Sequence, residues 1–432
     1  MTETELVYSL FIAFPPALSL LYIVAVQAFL ASGHECSWLH FARPTTIRLT
    51  LLILAIAIVI TFPDNNSASN QDNDDSITTN MTPYLLPAVT MPIISTILIY
   101  RTRMLLIQGP VPKHKNLDGK VVLVTGANTG IGKETARQML DMGATVIMAC
   151  RSEKRARDAI EDILNSVNER NDKLLKSSFK AAKERLLFLQ CDVSDFVSVR
   201  KAVSEFREMG LPLHVLVNNA GIIMGQRRTT TGDNKGLELT MACNHLGHFL
   251  LTNLFLPIMR KEKGSRVVVV TSSTYVLATK GIDLEDLNCE RRRYTMFSQY
   301  AQSKLANILM GKELYRREME VSRDQSKKDS FPVSVYMVHP GLVRTDVVRN
   351  MPWYLKYPNI LFSFVLTTLQ KSPAAGAYTS VFCATADDAE QFNGEYLSNS
   401  EVVPTNKYAN DVDDARELWK LSKILVGLDT TT

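Results

Sequence analysis

The stretch Lys120–Thr135, KVVLVTGANTGIGKET, decides the fold. Its opening, Val121 to Thr125, is short, apolar and β-branched, the composition of a buried strand. Gly126, Gly130 and Gly132 follow, and Glu134 to Leu140 has a helical pattern. Strand, glycine-rich turn and helix in that order form a site for a dinucleotide pyrophosphate. The glycines let the backbone turn tightly and approach the phosphates, and the helix N-terminus offers free N–H groups and a partial positive charge. The spacing here is G-x3-G-x-G rather than G-x-G-x-x-G. The plainer alternative is a strand-to-helix loop that happens to use glycine.

Outward from this stretch, apolar runs alternate with helical patterns from Leu117 onward. Strands are expected at 121–125, 145–150, 186–191, 213–218, 266–271, 333–339 and 395–397. Helices are expected at 132–142, 152–183, 195–209, 241–262, 297–318 and 373–386. Most of the strands read as continuous apolar runs, as strands covered on both faces do. Repeating β-α units imply an α/β fold with a right-handed, doubly wound parallel sheet. Asn165 to Lys183 and Met319 to Ser330 are charged and read as solvated insertions.

Residues 1–110 have a different character. Val7 to Ala31 is apolar without a charge and longer than the ~20 residues a helix needs to cross a bilayer. Shorter apolar runs cover 49–62 and 84–106. We expect a transmembrane helical region of up to three spans, followed by a catalytic domain over 111–432. The alternative is one anchor plus buried or re-entrant apolar segments. Glu3 and Glu5 argue against a signal peptide, which needs a basic start. The connection 32–48 carries Arg43 and Arg48, whereas 63–82 carries Asp64, Asp72, Asp74 and Asp75 with no Lys or Arg. Arg101, Arg103, Lys113 and Lys115 follow the third run. The positive-inside rule then puts the acidic loop in the lumen and the catalytic domain in the cytosol. Asn65-Asn66-Ser67 and Asn80-Met81-Thr82 in or beside that loop are glycosylation sequons, which favours the endoplasmic reticulum.

With 48 basic and 44 acidic residues, the net charge of +4 is too balanced for a nucleic-acid binder. Cysteines 36, 150, 191, 243, 289 and 383 form no C-x-x-C, so neither a disulfide framework nor a zinc site is expected. His245 and His248 lack a third ligand nearby and are read as packing or hydrogen-bonding residues, so no metal is assigned.

Cofactor choice turns on the end of the second strand. A carboxylate there would bond a ribose 2′-OH and favour NAD. Cys150-Arg151 stand there instead, with Lys154 and Arg155 beyond. A guanidinium pairs with a 2′-phosphate, so NADP(H) is expected. The alternative is a solvated basic helix start.

For chemistry, Tyr300 and Lys304 are four apart in a helical pattern and share one face. A free phenol, with pKa ≈ 10, is a poor base at neutral pH. Lowering it by ~3 units takes ~4 kcal/mol, within reach of a neighbouring ammonium and an oxidised nicotinamide in a partly dry cleft. Tyr300 could then exchange a proton with a carbonyl oxygen that a serine hydroxyl holds. The alternative is a core tyrosine beside a surface lysine.

Together these residues resemble a known family. TGANTGIG at 125–132, NNAG at 218–221, Asn244 in NHLGHFLLT, Ser272-Ser273 at a strand end, YAQSK at 300–304 and HPG at 339–341 are similar to the short-chain dehydrogenase/reductase signature. TGANTGIGKETA, the ACR after the second strand, SKLANIL and HPGLVRTD resemble its retinol dehydrogenase branch. The resemblance covers about 117–425 and implies a Rossmann fold. It makes Tyr300 the acid/base and has Lys304 bind the nicotinamide ribose and lower the tyrosine pKa. Ser273 becomes the substrate-oxygen donor, with Ser272 as the alternative. Asn244 would fix a helix kink and a water leading from Lys304 to solvent. Asp192 would contact the adenine and Asn219 would lie by the cofactor, which the glycine turn with Asn128 and Ile131 would cradle. Two departures stand out: a separation of 27 between Ser273 and Tyr300, and the multi-span N-terminus.

Met351 to Gln370 is aromatic and aliphatic, the composition of an apolar substrate lid or of a buried core segment. A lipophilic aldehyde, ketone or alcohol of the retinal/retinol kind is the expected substrate, with a steroid or fatty-acyl ketone as alternative. A membrane scaffold that keeps a nucleotide fold is the rival of another class. Apolar stripes on 241–262 and 297–318 suit a homodimer contact or simple packing on the sheet.

Overall fold

The computed structural model describes residues 108–170, 182–323, 330–343 and 370–428. The apolar runs at 7–31, 49–62 and 84–106 and the segment 351–369 lie outside them. Among the described residues no helix is long and apolar enough to cross a membrane.

Eight strands form one sheet in the order β3-β2-β1-β4-β5-β6-β7-β8. They are β1 (Val121–Thr125), β2 (Thr145–Cys150), β3 (Leu186–Gln190), β4 (Val215–Asn218), β5 (Arg266–Val270), β6 (Ser334–His339), β7 (Tyr396–Ser398) and β8 (Glu401–Val402). All neighbours pair in parallel except β7 and β8. Each residue of β1 is buried, because side chains on both faces meet helices. Leu123 belongs to the apolar core on one face, and Val122 and Val124 to the core on the other. The doubly wound Rossmann fold expected from the repeating β-α pattern is present.

The helices carry sequence-encoded starts. In α1 (Gly130–Asp141), Thr135, Ala136, Met139 and Leu140 are buried on one face. α2 spans Glu153–Arg170. Asp195 caps α3 (Phe196–Glu208) by accepting the Val197 N–H. A short helical turn, Leu239–Met241, leads through a π-helical turn, Ala242–Leu246, into α4 (Gly247–Met259). α5 is long, Met296–Arg323. Ser372 caps α6 (Pro373–Thr385), and Asp411 caps α7 (Val412–Leu425). At Gly247 an added Cβ would sit 1.7 Å from the Val193 carbonyl oxygen, so glycine alone lets α4 lie against the loop after β3.

Several boundaries differ from the sequence reading for physical reasons. The helix expected over 152–183 is described only to Arg170, with a second helical piece from residue 182. α5 runs beyond 318 because its charges are paired. Glu313 is buried under Arg316 and Arg317, and Glu318 is buried against Arg260. Charge that looked like a solvated loop is therefore helix as far as Arg323. β8 escaped notice because it is so short. Asn399 and Ser400, with φ of 53° and 63°, make the two-residue turn that reverses the chain into it. α7 was also missed. It covers α4 and α5: Trp419 meets Phe249 edge-on at 4.7 Å, Arg317 lies 4.7 Å over Trp419, and Ser422 hydrogen-bonds His245. The stripes on α4 and α5 thus pack within the chain, at least in part.

Candidate active site

The crevice forms where sheet order reverses, between the C-terminal ends of β1 and β4. Gly126 and Gly130 take φ of +66° and +56°, which L side chains rarely adopt. A Cβ on Gly132 would lie 2.4 Å from Asn219 Nδ2 and 2.6 Å from the Gly126 carbonyl oxygen. The first turn of α1 holds no acidic residue, so its N–H groups and partial positive charge face the cleft unopposed. Gly126, Asn128, Thr129, Gly130, Ile131 and Gly132 all line the cleft, and so does Asn219. Asn219 Nδ2 donates to the Thr125 carbonyl at 2.8 Å, which holds it against the turn. Such a cradle of donors, closed to any Cβ, fits a dinucleotide pyrophosphate.

After β2, Arg151, Ser152 and Arg155 line the same cleft. Arg151 Nε stands 3.7 Å from Asp192 Oδ2, and Asp192 also accepts from the N–H and hydroxyl of Ser194. Arg151 and Asp192, named separately from sequence, are thus neighbours. Lys154 is exposed and does not line the cleft, so Arg155 is the second cation at this end.

At the other end stand Ser272, Thr274, Tyr300 and Lys304. The Ser272 side chain is the polar neighbour of the Tyr300 phenol. Lys304 is buried, and its Nζ donates to the Val270 carbonyl at 3.0 Å, 5.5 Å from the Tyr300 ring centroid. Asn244 sits in the π-helical turn. Its Oδ1 accepts the Ile222 N–H at 2.8 Å, and its Nδ2 donates to the Ile222 carbonyl at 2.9 Å and to Ser303 Oγ at 3.0 Å. Ser303 in turn donates to the Tyr300 carbonyl at 2.7 Å. One side chain thereby ties the segment after β4 to the helix that carries the tyrosine.

Of the two serines offered by the sequence, Ser273 is exposed and Ser272 is the one that lines the cleft. Ser272 continues the extended backbone of β5, with φ −158° and ψ 147°, lines the cleft, and accepts the Thr274 N–H on its hydroxyl. The chain then turns into a 3₁₀ helix at Ser273. That turn swings Ser273 outward and sends its N–H to His339 Nδ1 at 3.3 Å. The sequence shows two adjacent serines but not where the strand stops.

The comparisons with known proteins agree with this geometry. A family model described as short chain dehydrogenase matches residues 120–282. Retinol dehydrogenase 14 of Homo sapiens is 36% identical over 314 residues, 72% of this chain and 88% of its own. Polyprenol dehydrogenase of Mus musculus is 35% identical over 313 residues, 72% of this chain and 84% of its own. This chain is a short-chain dehydrogenase/reductase. It belongs to the retinol dehydrogenase-like branch, an oxidoreductase family that uses a nicotinamide dinucleotide. A crystal structure of an uncharacterized protein from Mycobacterium paratuberculosis has the same fold, with a TM-score of 0.53 and 28% identity over 74% of this chain and 97% of the other.

In this short-chain dehydrogenase, the electrostatics of the pair differ from the sequence argument. Burial pushes the Tyr300 phenol up to about 12, against the neighbouring Ser272 hydroxyl, which lowers it. Burial brings Lys304 down to about 8. The ammonium is bonded to the Val270 carbonyl rather than to the phenol, so it does not overcome desolvation. Tyr300 is therefore protonated at neutral pH, the form that donates to an incoming oxygen.

His245 and His248 are hydrogen-bonding groups. His248 Nδ1 lies 3.1 Å from the Asn244 carbonyl, and Nε2 lies 2.9 Å from Thr125 Oγ1. Thr125 Oγ1 already accepts the Asn219 and Ala220 N–H groups at 2.9 and 3.0 Å. This chain of donors joins the glycine turn to the Asn244 turn through one neutral imidazole. Burial lowers both His245 and His248 to about 4. Unfolded histidine titrates near 6.5, so the unfolded chain binds the extra protons between those values. Stability is full above pH 6.5 and falls as pH drops toward 4, by about 1.4 kcal/mol per pH unit for each ring. Urea unfolding of the detergent-solubilised chain should therefore give a clearly lower midpoint at pH 5.5 than at pH 7.5. Equal midpoints would contradict the burial of these rings as neutral groups.

Sequence reasoning missed Thr129, Ser152, Ser194, Thr274, Phe297 and Leu342 as cleft residues. Only Phe297 carried a signal, three residues before Tyr300 on the same helical face.

Proposed function

We propose that this chain is a membrane-anchored oxidoreductase that transfers hydride between NADP(H) and a lipophilic aldehyde, ketone or alcohol of the retinal/retinol kind. The observation that carries this reading is a tyrosine phenol beside Ser272 and Lys304 in the same cleft as the glycine turn. When bound, the nicotinamide supplies the hydride to the carbonyl carbon, or takes it back. Tyr300 gives its phenolic proton to the carbonyl oxygen, so that carbonyl, hydride and proton sum to the alcohol. Ser272 donates a hydrogen bond to that oxygen as charge develops on it. Lys304 holds a cation close to the phenolate left behind.

The absence of a carboxylate at the end of β2, together with Arg151 and Arg155 in the cleft, supports a 2′-phosphate. Arg151→Asp should move preference toward NAD(H). Loss of one charge-assisted contact corresponds to about 10- to 100-fold in kcat/KM for NADPH against NADH. An unchanged ratio would leave Arg155 alone in that role.

The cleft mouth supports an apolar substrate. Phe297 and Leu342 are cleft residues and exposed, and Ile222, Ile223 and Leu239 line the wall. The relatives named retinol dehydrogenase and polyprenol dehydrogenase support the same reading. Anchoring by 7–31, 49–62 and 84–106, the endoplasmic reticulum and a cytosolic catalytic domain rest on the loop charges and sequons. A panel of retinoid, steroid, fatty-acyl and small polar carbonyls with NADPH tests the substrate class. Better turnover of the small polar carbonyls would defeat it.

A further inference from the structure

We propose that Thr274 is a positioning residue that sets the direction of the Ser272 proton. The inference rests on the reductase reading above and concerns the same cleft.

A serine hydroxyl has one hydrogen to donate and two lone pairs to fill. Around Ser272 Oγ the structure places two partners, both from Thr274, whose N–H donates to it at 3.2 Å and whose Oγ1 lies 2.9 Å away, and the Tyr300 phenol is its neighbour in the same cleft. Because Ser272 is extended and the turn begins at Ser273, the backbone itself brings Thr274 round to face Ser272.

Two arrangements satisfy every group. Without substrate, the neutral phenol donates to Ser272. The two lone pairs of Ser272 then hold the phenol and the Thr274 N–H, and its own proton goes to Thr274 Oγ1. With a carbonyl in the cleft, the phenol and Ser272 both turn their protons to the substrate oxygen. Ser272 has then lost one donor, and a half turn of the Thr274 hydroxyl replaces it. Thr274 now donates through both its N–H and its O–H, filling both lone pairs of Ser272. The Ser272 proton has no remaining protein acceptor and points to the substrate. A residue at 274 without a hydroxyl would leave one lone pair of Ser272 unfilled in the substrate-bound arrangement. It would also take away the resting acceptor.

Thr274→Val keeps the shape and the N–H and removes only the hydroxyl, and Thr274→Ser restores it. With detergent-solubilised full-length protein, NADPH and the best carbonyl of the panel, Thr274→Val should lower kcat about three- to tenfold. KM for carbonyl and for NADPH should stay within twofold, and Thr274→Ser should match the parent. An unchanged kcat would overturn the proposal. So would a change confined to KM, which would mean that Thr274 touches the substrate instead. A parent protein that reduces no carbonyl of the panel would overturn the reductase reading itself, and this proposal with it.

Discussion

Tyr300→Phe should abolish carbonyl reduction while leaving NADPH binding and the fold intact. The ring stays in place, and the polar neighbour of the hydroxyl is the Ser272 side chain. Nothing in the packing depends on that oxygen. The reaction does depend on it, since a hydride delivered to a carbonyl carbon leaves an alkoxide that needs a proton in a dry cleft. General acid catalysis of this kind accounts for about 10²–10⁴ in rate. Steady-state kcat should fall by that factor, and a fluorescence titration of NADPH should give a dissociation constant close to the parent. A variant with near-parental kcat would mean that water or another group supplies the proton. A biological role that survives in the variant would favour the scaffold reading.

Ser272→Ala and Ser273→Ala should differ widely although the residues are adjacent. Ser272→Ala removes the hydroxyl that faces the cleft and the cap on the 3₁₀ turn, where it accepts the Thr274 N–H. Losing a donor to a developing oxyanion costs about 10²–10³ in kcat, and losing the cap about 1 kcal/mol of stability. Ser273→Ala removes an exposed hydroxyl and keeps the N–H that reaches His339. It should stay within twofold of the parent. The pair separates the structure's assignment from the sequence's, because the reverse order of effects would restore Ser273.

The residues that touch cofactor were legible because backbone geometry restricts them to few residue types. Gly126, Gly130 and Gly132 announce positive φ or close approach: Gly126 and Gly130 have the first, and Gly132 has the second. Asn244 was legible only through the family resemblance. Its π-helical turn is a tertiary outcome fixed by bonds to Ile222 and Ser303 from distant segments. The Ser272–Ser273 choice stays open in the sequence for a simpler reason. Side chains alternate along a strand, so a one-residue error in its end reverses which serine faces the cleft. The tyrosine pKa failed because spacing of four puts Lys304 on the right face but cannot show that its ammonium bonds Val270 instead. α7 was hidden by its own polarity. Asp411, Asp413 and Asp414 look like a loop and are a helix start.

The most direct test of the account follows the hydrogen itself. Full-length protein in detergent would be given NADPH deuterated at the reactive carbon of its nicotinamide and a retinal-type aldehyde, and the alcohol analysed by mass spectrometry. The account predicts one deuterium at the former carbonyl carbon with the parent protein and none above background with Tyr300→Phe. Alcohol formed without deuterium, or equal labelling by the two proteins, would contradict it.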